Sequence, residues 1–364
     1  MKKAHRPKKD RAKRKPPARK RPDPFVRLAE RLDDPRQVPS LPKILALMVT
    51  PREAELLLAL PATLEQLLAW TDARRRELRA TLRKACRSGL VLELCGPGGE
   101  PRYAFPDVYV DNILCDARNN RLGSRFRALW QSWTREHRAR RRFDLGPDAR
   151  PGFRVLPANL PRGKGRAVVP SVDARAIVRA ARRRVLQQCA CRFRSTTCEK
   201  PHDDICLVFD HLADEAVARG CGREVSVTEA LDALERGTRA GLVHTSSADY
   251  LTPARSGTEF ICSCCPCSCE LLESYMASGR KLGFVTHYRA EVDAAKCTGC
   301  GNCLGRCGFG ALSLREGALR IDDGLCVGCG LCLRACPTHA LSLRFTPSAY
   351  EARRVNRHVI NPRR

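Results

Sequence analysis

The sequence predicts an α+β protein assembled from unlike parts: a small module of helices followed by a hairpin, a helical, cysteine-rich middle domain, and a duplicated cysteine repeat near the C-terminus. Three observations carry this. Capped helical periodicity runs through the first third, nine cysteines lie in two patches between 189 and 269, and eight more recur at a constant offset between 297 and 336. At 364 residues the chain is long enough for two or three domains, each with its own core.

Charge divides the chain further. Lys and Arg outnumber Asp and Glu by 66 to 39, a formal surplus of +27. Residues 1–22 hold twelve of those bases against one acid, Asp10, with Pro7, Pro16 and Pro17 among them. Residues 1–24 therefore read as a disordered basic tail and 346–364 as a second basic tail. Such segments attract phosphate backbones or acidic proteins, and composition does not choose between them. No apolar run approaches the ~20 residues of a membrane span, and no apolar export segment follows the basic tail. The expectation is a cytoplasmic protein whose 21 cysteines are reduced ligands rather than bridges.

Residues 25–115 suggest a winged-helix-like domain. Thr50-Pro51-Arg52-Glu53 supplies an N-cap, a proline at the first helical position and a capping-box glutamate ahead of Leu56, Leu57 and Leu60. A second helix spans about Ala62 to Trp70. A third opens at Asp72, turns Leu78, Leu82 and Ala85 inward and sets Arg75, Arg79, Arg83 and Arg87 in an i, i+4 stripe before Gly89 stops it. Strands at Leu90–Leu94 and Arg102–Phe105, joined by Gly96-Pro97-Gly98-Gly99, complete a wing. The stripe suits a DNA groove, a protein contact or a merely solvated face.

Residues 116–170 read as helix and linker. A helix over about 121–142 places Phe126, Leu129, Trp130 and Trp133 on one stripe that braces the two halves, and Pro and Gly dominate 144–170.

Residues 171–289 form the cysteine-rich, metal-binding middle. Ile177, Val178, Ala181 and Val185 read as one helical face leading to Cys189-x-Cys191, Cys198 and Cys206. Ser226 and Glu229 cap a helix that Gly241 stops. Then comes Cys262-Ser-Cys264-Cys265-Pro-Cys267-Ser-Cys269. On extended backbone, residues two apart share a face, so Cys189 with Cys191, and Cys262 with Cys264, can each grip one metal. Cys265, Cys267 and Cys269 make a separate alternating set beyond the parity change. Four thiolates suit a 4Fe-4S cluster or tetrahedral zinc, and spacing does not separate these from buried free thiols. Cys86, Cys95, Cys115 and Cys221 read as structural, and His202 and His244 as polar contacts.

Residues 290–345 hold Cys297-x2-Cys300-x2-Cys303-x3-Cys307 and, 29 residues on, Cys326-x2-Cys329-x2-Cys332-x3-Cys336. Gly299 and Gly301 match Gly328 and Gly330, and Ala-Leu-Ser-Leu-Arg at 311–315 recurs at 340–344. Two copies of one unit are present. They resemble the bacterial dicluster ferredoxin domain. That resemblance implies two 4Fe-4S clusters with crossed ligation: Cys297, Cys300, Cys303 and Cys336 on one, Cys326, Cys329, Cys332 and Cys307 on the other. Cluster binding would supply folding free energy that so small a core cannot. Gly308 departs from the pattern, standing where Pro337 stands in the second copy, and is expected to loosen its loop. Nearly balanced charge around the repeat points to a fixed or intramolecular docking partner.

Cys-x-Cys-Arg at 189–192, Lys200-Pro201, Cys206-Leu-Val-Phe-Asp210 and Gly241-Leu-Val-His244, read with the repeat, resemble a family of prokaryotic 4Fe-4S binding proteins with extra cysteine motifs, over about 154–345. The resemblance implies one redox unit and supplies no reaction. No phosphate-binding glycine loop, flavin site or nucleophile–base pair is visible, which disfavours a stand-alone enzyme. The expected function is single-electron transfer between redox protein partners, alone or within a larger oxidoreductase complex. The alternative is a winged-helix, nucleic-acid-binding regulator that responds to its cluster.

Overall fold

A computed structural model describes residues 23–32, 39–95, 99–105, 122–140, 153–158, 173–193, 195, 198–247, 259–277 and 284–346. The basic N-terminal segment, most of 144–170 and nearly all of 346–364 lie outside the described residues, as does Cys115.

The first part holds α1 (Pro24–Leu32), α2 (Leu41–Met48), α3 (Pro51–Leu57), β1 (Ala62–Thr63), α4 (Leu64–Trp70), α5 (Arg75–Arg87), β2 (Leu92–Cys95) and β3 (Pro101–Ala104). The strands form an antiparallel sheet in the order β1-β3-β2. Both halves of the Thr50–Glu53 capping box form, and a second box, Thr63 with Gln66, opens α4. Each is worth about 1 kcal/mol. Leu56, Leu57, Leu60, Leu78, Leu82 and Ala85 are buried in one core. Along α5, Arg75 is bound by Glu65, whereas Arg79, Arg83 and Arg87 are exposed. The next helix, α6 (Gly123–Arg140), inserts Phe126, Trp130 and Trp133 into this same core. Glu136 on α6 accepts hydrogen bonds from the backbone N–H and hydroxyl of Ser40 at 3.1 and 2.6 Å. Toward the middle part, α6 offers Arg127, which stands 5.8 Å over the Phe193 ring.

The middle differs from the helical domain expected. It is built on a seven-stranded sheet of β4 (Phe153–Leu156), β5 (Arg184–Gln187), β6 (Cys206–Phe209), β7 (Arg223–Glu224), β8 (Val243–Ser247), β9 (Phe260–Cys264) and β10 (Phe284–Val285). The order is β10-β4-β8-β9-β6-β5-β7, antiparallel throughout except β10 with β4. Strands of two to five residues are too short to show alternation, and helices separate them: α7 (Ala174–Ala180), α8 (Ala190–Phe193), α9 (Asp210–Arg219), α10 (Val227–Arg239) and α11 (Glu270–Ala277).

Val185 falls on β5 rather than on the face of α7. Asp210 explains the break, since its Oδ1 accepts from the backbone N–H groups of Arg182 and Arg183 at 2.7 and 3.0 Å. The chain thereby trades helical hydrogen bonds for a carboxylate far along the sequence.

The C-terminal part pairs β11 (Tyr288–Val292) with β14 (Leu341–Phe345), both antiparallel, and adds the hairpin β12 (Leu312–Arg315) and β13 (Ala318–Ile321). Single 3-10 turns at 304–306 and 331–335 carry the ends of the two cysteine loops. This part is docked on the middle: Tyr288, Ala290, Leu319, Leu341 and Leu343 share one core with Leu156, Val178, Leu207 and Leu234. Arg306 donates to the carbonyls of Thr238 and Arg239, both at 3.1 Å, and Arg334 pairs with Glu235 at 2.7 Å. Both contacts clamp the last turns of α10, where a cation also meets the negative end of the helix dipole. No described helix is long and apolar enough to cross a membrane.

Candidate metal centres

The two repeats fold as twins. Gly299, Gly301, Gly328 and Gly330 all take positive φ, between 65° and 76°. At the first glycine of each pair a Cβ would collide with backbone: with the Gly317 carbonyl oxygen at 2.2 Å from Gly299, and with that of Tyr288 at 2.1 Å from Gly328. Each loop is pressed against a neighbouring strand or hairpin, which leaves no room for a side chain.

Cys297, Cys300 and Cys303 line a cavity of about 330 Å³, including its open mouth, and Cys336 from the second loop closes the set. Leu314, Leu319 and Leu341 make the remaining wall largely apolar. In the second group, Cys329 lies within electrostatic range of Cys307 and Cys326, and Cys332 of those three. The crossing cysteines are served alike: Ala311 N–H donates to Cys307 Sγ at 3.4 Å and Ala340 N–H to Cys336 Sγ at 3.2 Å. These alanines open the recurring Ala-Leu-Ser-Leu-Arg, so the repeat itself carried the signal for both sulfur donors. Ala290 N–H adds a donor to Cys326 Sγ at 3.4 Å.

Burial pushes Cys329 up to about 12 and raises Cys303 and Cys332 as well. Cys336 moves down: burial opposes this, but the Thr338 hydroxyl and backbone N–H groups outweigh it. A soft cation set among these thiols would reverse the burial penalty by holding them as thiolates. Four sulfurs around an apolar-walled cavity, with N–H donors aimed at sulfur, fit a cubane of iron and sulfide.

The 4Fe-4S binding-domain family matches the chain twice, at residues 290–313 and 319–342. The C-terminal part is a 4Fe-4S binding region. No curated protein and no solved structure matches the chain significantly.

Gly308, in the first loop of this iron–sulfur region, faces the central cysteine segment. A Cβ there would stand 3.0 and 3.2 Å from the Pro266 ring, so the absence of a proline lets the central cysteine segment pack against the first loop.

The nine central cysteines divide into a six and a three. Cys262 and Cys264 lie on β9 as the extended reading required, but Cys189 and Cys191 do not share a strand. Cys189 lies two residues beyond the end of β5 and Cys191 sits in α8, whose Phe193 N–H returns to the Cys189 carbonyl at 3.0 Å. Nor do Cys265, Cys267 and Cys269 alternate. Cys269 N–H donates to the Cys265 carbonyl at 2.9 Å in a helical turn entering α11, which sends Cys269 away from the other two.

Cys198, Cys265 and Cys267 have their sulfurs within 4.8 Å of one another, Cys198 at 3.6 Å from Cys265 and 3.5 Å from Cys267. Ser268 hydrogen-bonds Cys198 and reaches the Ser195 hydroxyl at 3.0 Å. The other six make a closed circuit of sulfur hydrogen bonds: Cys189 to Cys191, Cys191 to Cys269, Cys269 to Cys264, Cys264 to Cys262, Cys262 to Cys206, and Cys206 back to Cys189. Hydrogen bonds from Cys189 and Cys262 hold Cys206 well below the ordinary thiol range. Cys262 and Cys269 do the same for Cys264, lowering it to about 5.

Arg192, absent from the sequence-derived site, is 1% exposed and lies in the field of Cys189, Cys206, Cys264 and Cys265. It donates to the carbonyls of Pro201 and Ser263. Its place in Cys-x-Cys-Arg was the only sequence signal.

His244 is a polar contact, as expected: buried, with Thr238 Oγ1 at 2.9 Å and Ser263 Oγ at 3.1 Å. His202 meets Asp203 at 3.0 Å. Cys221 is buried, and Cys86 packs against the first core with its thiol pushed up to about 12 by burial.

Proposed function

We propose that the chain is a single-electron carrier, acting alone or as a subunit of a larger oxidoreductase complex, built on two 4Fe-4S clusters with crossed ligands. Cys297, Cys300, Cys303 and Cys336 would hold one, and Cys326, Cys329, Cys332 and Cys307 the other. The observation that carries the reading is the crossing itself, in which Cys336 reaches into the first loop's cavity. When bound, such clusters store and release one electron at a time. The chain's part is to fix eight thiolates, exclude water with Leu314, Leu319 and Leu341, and offset sulfur charge through the N–H groups of Ala290, Ala311 and Ala340. Cys300 is exposed and Cys332 buried, which favours the first cluster as the one a redox partner approaches.

Cys198, Cys265 and Cys267 are read as an additional single-metal site. Zinc–thiolate bonds of about 2.3 Å put tetrahedral sulfurs roughly 3.8 Å apart, near the 3.5 and 3.6 Å found here. A cubane attaches each thiolate to a different iron and spaces them more widely. The N-terminal part is read as winged-helix-like and as a protein-docking module, and the domain boundaries expected from sequence stand with that reading. Nothing in the comparisons supports the DNA-binding alternative.

Iron quantitation and EPR of anaerobically purified, reduced full-length protein test the proposal. About eight irons are expected, falling to about four in Cys336→Ser and in Cys307→Ser, since each cubane holds four. Folded, colourless protein without iron would sink it.

A further inference from the structure

We infer that Cys206 and Cys262 form a two-electron dithiol–disulfide couple that exchanges electrons with the two iron–sulfur clusters, so that the chain converts single electrons into thiol chemistry. The inference rests on the electron-carrier reading above.

The strand register selects this pair. Among the described residues only Cys198, Cys265 and Cys267 bring three sulfurs within 4.8 Å, so the six ring thiols meet pairwise. Of the ring's contacts, the one between Cys206 and Cys262 joins residues directly opposite across two strands: Leu207 pairs with Ile261 and Val208 with Phe260, and one step further brings Cys206 to Cys262. Phe209 N–H donates to the Glu259 carbonyl at 2.9 Å, and counting back by alternation makes 206 and 262 a pair that exchanges no backbone hydrogen bonds. Such pairs stand about 4.5 Å apart at Cα. A disulfide spans about 4.4–6.8 Å, so the bridge closes without moving either strand. Cys262 and Cys264, two apart on one extended strand, sit about 6.7 Å apart and at the far edge of that range.

The surroundings favour reversible opening. Ser263 N–H donates to the Cys206 sulfur, and the buried Arg192 lies in its field with Nη2 lacking a hydrogen-bond partner among the described residues. A thiolate released at Cys206 meets both, which makes Cys206 the better leaving sulfur. Cys262 packs against the same core as Cys307 and Cys329, ligands of the second cluster in the proposed ligation, so an electron has a short, dry path.

Opening the bridge breaks the S–S bond with two electrons, one from each reduced cluster, and two protons from solvent complete the two thiols. In reverse, the dithiol gives two electrons to two oxidised clusters and releases two protons. No other reagent enters.

The test uses anaerobic full-length protein, oxidised by a one-electron dye, alkylated, and digested without thiol reductant. A peptide pair joined through Cys206 and Cys262 is expected. Photoreduction of the clusters through a deazaflavin should open it, leaving both cysteines alkylated, with electron uptake two per chain above that seen in the cluster EPR signals. Cys262→Ser should lose that extra uptake and keep its iron, and Cys307→Ser, without the adjoining cluster, should keep the bridge closed under the same light. The unmutated chain alone decides the outcome should either variant misfold. Free thiols at both positions after oxidation, a bridge indifferent to cluster reduction, or about twelve irons per chain, the mark of a third cubane, overturn the inference. Iron near eight with cluster signals but no bridge sinks this inference alone, whereas iron-free protein sinks the electron-carrier reading.

Discussion

Substituting Gly299 and Gly301, one at a time, by alanine separates two costs that the sequence motif confounds. Both residues hold positive φ, 67° and 76°, so either alanine bears the left-handed penalty of about 1–2 kcal/mol. Their surroundings differ. A Cβ on Gly301 meets only Leu314 Cδ1 at 3.5 Å and Leu304 Cδ1 at 3.8 Å, which is ordinary contact. A Cβ on Gly299 would lie 2.2 Å from the Gly317 carbonyl oxygen, and backbone at a hairpin tip cannot rotate aside. Overpacking of that kind adds about 1–3 kcal/mol, for roughly 2–5 kcal/mol in all. The difference between the variants therefore amounts to about fivefold or more in the stability constant. Anaerobic guanidinium titration, followed by loss of visible absorption, reads it as a midpoint shift. Gly299→Ala should fall well below Gly301→Ala. If the two midpoints coincide, or Gly301→Ala is the weaker protein, loop packing does not control cluster retention and the steric argument is wrong.

Two further outcomes follow from the same contacts. Gly308→Pro restores the residue found at the equivalent place in the second repeat, yet here it drives a ring into Pro266; metal bound by Cys198, Cys265 and Cys267 should fall while iron holds, and unchanged binding of both would refute the packing account. His244 is held neutral by burial, which lowers it to about 4 from 6.5. The unfolded chain protonates first on acidification, so the stabilisation is complete above about pH 6.5 and is lost, up to roughly 3 kcal/mol, as pH falls toward 4. His244→Gln keeps a donor and an acceptor for Thr238 and Ser263 without that titration, and its stability should fall less steeply across this window; parallel curves would show that His244 does not set the acid limit.

The parts of the molecule legible in sequence were those governed by local rules. Capping residues located α3 and α10 because Thr50 and Ser226 bond within their own first turns. The doubled loop was visible because ligand spacing and glycine conformation repeat every 29 residues. What escaped was governed by distant contacts. Asp210 ends a helix about thirty residues earlier, and β5 therefore looked like the helix's continuation. The division of nine cysteines into six and three turns on one helical turn at 265–269, where alternating Cys-Pro-Cys-Ser-Cys resembles a strand. Arg192 was missed for the same reason, since an arginine beside cysteines looks like a surface charge until the sheet buries it.

The near-neutral charge of the C-terminal repeat now has a physical basis. A freely diffusing carrier can use a strongly signed face to steer toward partners, whereas a region already held by its own chain must balance charge at the contact. Arg306 and Arg334 spend their charge on the end of α10. The same helix also packs against the strand that carries two of the central thiols. Gly237 permits that approach, because a Cβ there would come within 2.9 Å of Ser263 Oγ, and Thr238 reaches Ser263 through His244. Ser263 lies between Cys262 and Cys264. One helix thus carries the docking contacts of the iron–sulfur region on its last turns and fixes the strand that presents the central cysteines. Undocking the C-terminal region would also uncover Phe309, Val327 and Leu331, which share a core with Cys264 and Cys269. The central cysteines and the iron–sulfur region thus share buried contacts, and the Cys300 thiol reaches solvent while those of Cys264 and Cys269 do not.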